Sequence, residues 1–107
     1  IMETIIATSV PALLKDMAKF EDVVTRTVVM KNASGAINLI ALKRGQQLSE
    51  HLAPADAMVQ ILEGFLQFTI KGNTYDMKPG DFLLMQKGEP HSLIAKEDTK
   101  FLLTLLK

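Results

Sequence analysis

Apolar and polar positions change their period once along this chain, near residue 20. Ahead of that point Leu13, Leu14, Met17 and Ala18 recur at helical spacing, behind a Ser9-Val10-Pro11 start that offers an N-cap and a first-turn proline. The pattern predicts one short amphipathic helix over about residues 9–20, preceded by a brief extended stretch at 2–7. The apolar stripe of that helix is expected to pack on a sheet or on a partner subunit.

Beyond the helix, short β-branched and aromatic runs are broken by turn chemistry. Strands are predicted over 23–30 and 36–43, around a KNASG turn at 31–35. Lys43, Arg44 and Gly45 turn into a strand ending near 52, and 53–56 is a tight connection holding Pro54. Strands at 57–63, 65–71 and 74–77 follow, the last two joined by a hairpin at Gly72-Asn73. Those at 82–85, 91–96 and 101–106 close the chain. About nine short strands spaced roughly 8–12 residues apart predict an all-β barrel or sandwich over about 23–107.

Several strands are apolar on both faces, as in MVQIL after Ala57 and FLLTLL near the end. One face would fill the barrel, so the other needs a cover: a second sheet, the helix or a partner. At 107 residues, a single domain with one core, the chain cannot easily hide both faces alone, and a homodimer is expected.

Composition removes whole classes of chemistry. Twelve basic and twelve acidic residues give zero formal net charge without a long basic run, so no nucleic-acid partner is expected. Cysteine is absent, which excludes disulfides, thiolate ligands and a cysteine nucleophile and fits a cytoplasmic location. No apolar run approaches the ~18 residues of a membrane span, and no signal peptide is read at the N-terminus. No glycine-rich loop precedes a helix to cradle phosphate. Ser49 lies two residues before His51 without an evident orienting acid for nucleophilic catalysis.

What remains is the pair of histidines, the only two in the chain. The first stretch reads Gly45, five residues, His51-Leu52-Ala53, three residues, Ala57, six residues, Gly64. The second reads Gly80, five residues, Gln86-Lys87-Gly88, two residues, His91, three residues, Ala95. Together they resemble the two motifs of the cupin superfamily, small jelly-roll barrels, in spacing throughout. The resemblance covers residues 45–95 and implies a single cupin-like jelly-roll domain over 1–107 with one short N-terminal helix.

In metal-binding cupins a His-x-His pair and a glutamate of the first motif and the histidine of the second hold the ion. On that mapping His51 and His91 are kept, whereas Ala53 and Ala57 stand where a histidine and the glutamate would be. Two imidazoles alone hold a divalent ion weakly; a catalytic zinc site normally has three protein ligands. Among carboxylates, strand alternation turns Glu50 away from His51, while Glu63 shares the parity of Ala57 six residues off. Asp56 reaches inward only through a register slip, and Glu89 could reach the barrel mouth from its loop. Met58, Gln60 and Met85 lie near these positions with their facing open.

The pocket expected from the resemblance is lined by His51, His91, Ala53 and Ala57. Its first reading is a small-molecule binding protein without a tightly held metal or other cofactor, in a sensor or accessory role. The alternatives are a metal-dependent enzyme of dioxygenase or isomerase type, with His51, His91 and an unforeseen ligand on a divalent ion, and a dimerisation module with a vestigial pocket. Catalytic residues are not assignable from the sequence.

Overall fold

The structure, a computed structural model, describes residues 9–107. The extended stretch expected at 2–7 lies outside the described residues. Helix α1 (Val10–Asp16) starts as its sequence dictates, with the Ser9 hydroxyl accepting from the Ala12 amide and proline in the first turn. It ends well before residue 20. Met17 turns extended, Ala18 takes φ 53, and the Ala18 amide donates to Thr27 Oγ1 at 3.0 Å. Ala18 is thereby buried against Leu39 and Ala41, so packing on the sheet overrides the helical period.

Nine strands follow: β1 (Thr25–Asn32), β2 (Gly35–Leu42), β3 (Gln47–Leu52), β4 (Asp56–Glu63), β5 (Leu66–Ile70), β6 (Asn73–Met77), β7 (Phe82–Met85), β8 (Pro90–Ala95) and β9 (Thr99–Leu106). They form a five-stranded sheet, β1-β2-β9-β4-β7, and a four-stranded sheet, β3-β8-β5-β6, antiparallel throughout. Sheet neighbours far apart in sequence, such as β2 with β9 and β3 with β8, make this the expected jelly roll.

Two turns sit differently from the sequence reading. β1 runs on to Asn32 because the Asn32 side chain accepts from the Ser34 amide and closes a two-residue turn in front of Gly35. In the β5–β6 hairpin the corner is Lys71-Gly72, at φ 53 and 76, because Asn73 already pairs with Ile70. Two consecutive positive φ values are the geometry that joins right-twisted strands through two residues.

The main core fills the space between the sheets. Leu42, Val59, Ile61, Leu66, Phe68 and Phe101 are its most enclosed members. On the outer face of the five-stranded sheet a second cluster forms where Leu14, Met17 and Phe20 cover Leu39, Ala41 and Leu102. Lys100 fastens the helix there: its Nζ donates to the Leu14 carbonyl and lies 4.9 Å from the Phe20 ring centroid. The helix thus covers one end of the outer face. No helix among the described residues is long and apolar enough to cross a membrane.

Candidate functional site

His51 and His91 stand directly opposite each other on β3 and β8. A bulge makes this possible. Leu48 packs into the main core, and plain alternation from it would turn residue 51 outward. The register slips by one residue between Leu48 and His51, which returns His51 to the inner face. The two rings lie 4.0 Å apart, centroid to centroid, inclined at 60°. His91 is buried and stacks on Phe68 at 5.5 Å and 11°, while His51 is exposed.

Each ring is oriented by its own strand. His51 Nδ1 donates to the Ser49 carbonyl at 2.9 Å, and His91 Nδ1 donates to the Glu89 carbonyl at 3.0 Å. A carbonyl oxygen only accepts, so the hydrogen-bond network assigns the proton to Nδ1 in both rings. In the neutral form each Nε2 then carries a free lone pair, able to accept a hydrogen bond or bind a cation. Burial pushes the His91 pKa below its ordinary value, and the nearby His51 adds to this. The Glu89 carbonyl and carboxylate pull the other way without reversing it.

The inner face of the four-stranded sheet continues the row as His51, His91, Ile70 and Asn73. Ile70 and Asn73 line an open cavity of about 970 Å³ between β6 and β7, each an edge strand among the described residues, with Met77, Leu83, Met85 and Glu89 on its other walls. Glu89 joins the two features: its carbonyl holds His91, and its side chain, 11% exposed, lies 3.3 Å from the Lys71 ammonium. A further polar group points into the barrel. Asn38 is buried on the inner face of β2, and its Oδ1 has no hydrogen-bond partner among the described residues.

The histidines adjoin this cavity without lining it, and Ala53 and Ala57, buried in the main core, do not line it either. Ala53 serves through its backbone: its amide donates to the Glu89 carbonyl at 3.1 Å, and its carbonyl accepts from Gly88 at 2.8 Å. The two motif loops are thus stitched together at the level of the histidines. Of the residues whose facing the sequence left open, Met85 turns inward to the cavity, whereas Met58 and Gln60 lie on the outer face.

The carboxylates are otherwise engaged. Asp56 accepts from the Lys87 amide at 2.9 Å and caps the loop before β8. Glu50 lies on the outer side of the four-stranded sheet. Glu63 does not keep the inward parity of Ala57, because a bulge between Ile61 and Glu63 turns it out beside Lys100. Among the described residues no three His, Asp or Glu side chains gather in a metal-binding group. The imidazoles at the barrel's open end number two, one short of the three protein ligands of a catalytic zinc site, and the Glu89 carboxylate is paired with Lys71, so this set does not fit a firmly held ion.

The β5–β6 wall, with Phe68, Ile70 and Asn73, was not picked out from the sequence. Its signal is the alternation in LQFTI, but what places it beside His91 is the pairing of β5 with β8, some twenty residues later in the chain.

Comparison with known proteins agrees with this architecture. A conserved Streptococcus pyogenes protein of unknown function superposes with a TM-score of 0.82 at 29% identity, over 99% of this chain and 90% of its own. A cupin superfamily protein from Desulfitobacterium hafniense gives 0.75 at 24% identity, over 80% of this chain and 79% of its own. KdgF from Halomonas sp. shares the fold at 0.74 and 19% identity, over 81% and 82%. No curated protein matches the chain in sequence. The family model described as Cupin domain matches residues 38–106, well over half the chain and including both histidine stretches: the protein belongs to the cupin family.

Proposed function

We propose that this cupin binds a small molecule at the open end of its barrel, without a tightly held metal, as a cytoplasmic sensor or accessory protein. The observation that carries this reading is the histidine pair, two rings 4.0 Å apart, both oriented through Nδ1 so that their Nε2 atoms are left to a ligand. A buried imidazole serving only the fold is expected to satisfy its polar atoms internally, and His91 leaves its Nε2 without a partner among the described residues. The adjoining cavity, about 970 Å³, is at the upper end of the range of small-molecule pockets.

The test measures metal content of protein purified without chelator, then thermal stability against a metabolite panel, for the wild type, His51→Ala and His91→Gln. Ligand-dependent stabilisation lost in both variants supports the binding reading. Stoichiometric metal lost in both variants overturns it in favour of the metal-dependent enzyme. No metal and no ligand response overturns it in favour of a structural module.

We also infer a homodimer through the outer face of the five-stranded sheet. Beyond the helix, Met30, Ile37, Thr104, Met58 and Leu84 form an uncharged row in register across all five strands, and Leu84 is 69% exposed. An uncharged, partly exposed row can pair with a second copy of itself about a two-fold axis. Light scattering at micromolar concentration should report a dimer in the wild type and a monomer for Leu84→Lys; a wild-type monomer would refute the inference.

A further inference from the structure

The polar groups around the open end are unequal in kind. At the histidine pair the free ring atoms are acceptors: with Nδ1 committed to the Ser49 and Glu89 carbonyls, each neutral ring offers only Nε2, while Asn73 farther along the row brings a carboxamide that both donates and accepts. Deeper in the barrel, on the inner face of β2 opposite Leu103, the Asn38 carboxamide leaves its Oδ1 without a partner among the described residues. The cavity walls carry three carboxylates, Asp76, Asp81 and Glu89, against one cation, Lys71. That cation is already engaged, because its Nζ lies 3.3 Å from Glu89 Oε1.

Glu89 is the informative member. Its side chain is mostly enclosed, yet the partner that neutralises it reaches in from an exposed corner, with 76% of the Lys71 side chain in solvent. Such a partner is held weakly, since an exposed lysine gives up rotamer freedom to stay in place. The chain's own ammonium thus marks where a ligand's ammonium would sit. A carboxylate ligand would face three like charges across neutral donors such as Asn73 and Gln86, and among the described residues that line the cavity no free cation receives it.

We propose that the open end takes a small organic ammonium, its charge directed to Glu89 and its N–H or O–H groups to Nε2 of His51 and His91, and that it discriminates against carboxylates. This rests on the reading of the open end as a binding site and names the class of ligand. Lys71 is then a competitor for the ligand's position. Its removal should strengthen binding, a direction that damage to the fold would not produce.

The experiment uses three probes with one carbon skeleton: putrescine, the corresponding terminal diol and succinate. Each is titrated at millimolar concentration, with and without chelator, while the histidine ring resonances are followed by NMR. Saturable shifts are expected in the order putrescine, diol, succinate, with succinate inert. Lys71→Asn keeps the left-handed corner, which asparagine tolerates, and should tighten putrescine several-fold. Glu89→Gln should remove the preference of putrescine over the diol.

Succinate binding in either condition, or putrescine binding unmoved by Lys71→Asn and Glu89→Gln, overturns the proposal. If succinate binds and His51→Ala abolishes it, the site stands and only the ligand class falls. If putrescine binds through Glu89 unaffected by His51→Ala, the ammonium proposal survives at Glu89 and the role of the histidines falls. Silence from all three probes overturns the ligand class, and the metabolite panel then decides the site.

Discussion

The two ends of the barrel are built from the same strands and do opposite work. At the closed end Leu42, Ile61, Leu66 and Phe101 meet between the sheets, nearly or wholly shielded from solvent. Even the hydroxyl there is satisfied, since Thr99 Oγ1 donates toward the Phe65 and Glu97 carbonyls and accepts from the Phe65 amide. At the open end the same inner faces present His51, His91 and Asn73 in place of aliphatic residues, and β6 and β7 part around a cavity. Stability is concentrated at one end, and polar groups with unused hydrogen-bonding capacity at the other. Substitutions at the two ends should therefore separate folding from binding.

The largest effect is expected at the closed end. Ile61→Ala should cost about 2–5 kcal/mol, through lost transfer energy and the cavity left behind, read as a lower urea midpoint with an unchanged slope. Gly64→Ala should cost about 1–3 kcal/mol, because φ is 93° and an added Cβ would collide with the Asp98 carbonyl. A wild-type midpoint in either variant would mean that the closed end is not where stability resides.

The open end should show itself through pH. The folded-state pKa of His91 is depressed, so the unfolded chain binds the proton more readily. Its contribution is fully present above the unfolded imidazole value of about 6.5 and is lost as pH falls through the lower folded value. Urea midpoints should therefore decline across that window in the wild type and decline less in His91→Gln. An equal decline in both would place the titration elsewhere. The smallest effect belongs to His51→Ala, whose exposed ring should leave stability within about 0.5 kcal/mol while removing ligand response.

Strand number and the motif spacing were legible in the sequence because alternation and turn residues are local signals. The facing of His51 and His91 was legible only through the family resemblance, since it depends on the bulge after Leu48, set by the partner strand. A bulge of the same kind put Glu63 on the outside, against its parity. The helix end was misjudged for a related reason: the Ala18 contact that ends it involves Thr27, Leu39 and Ala41, none of them neighbours in sequence. By the motif spacing Ala53 stands where a histidine would be. Its backbone bonds to Gly88 and Glu89 give it a structural role that no side-chain pattern reveals.

The central claim is that both histidines turn an unprotonated Nε2 to the ligand. A long-range proton–nitrogen NMR spectrum of the imidazoles tests it directly, at about pH 8, well above the unperturbed imidazole value of roughly 6.5. Both rings should show a protonated Nδ1 and an unprotonated Nε2, with the Nε2 signals moving on addition of putrescine. A protonated Nε2 on either ring, or Nε2 signals that stay fixed while putrescine binds, would contradict the account.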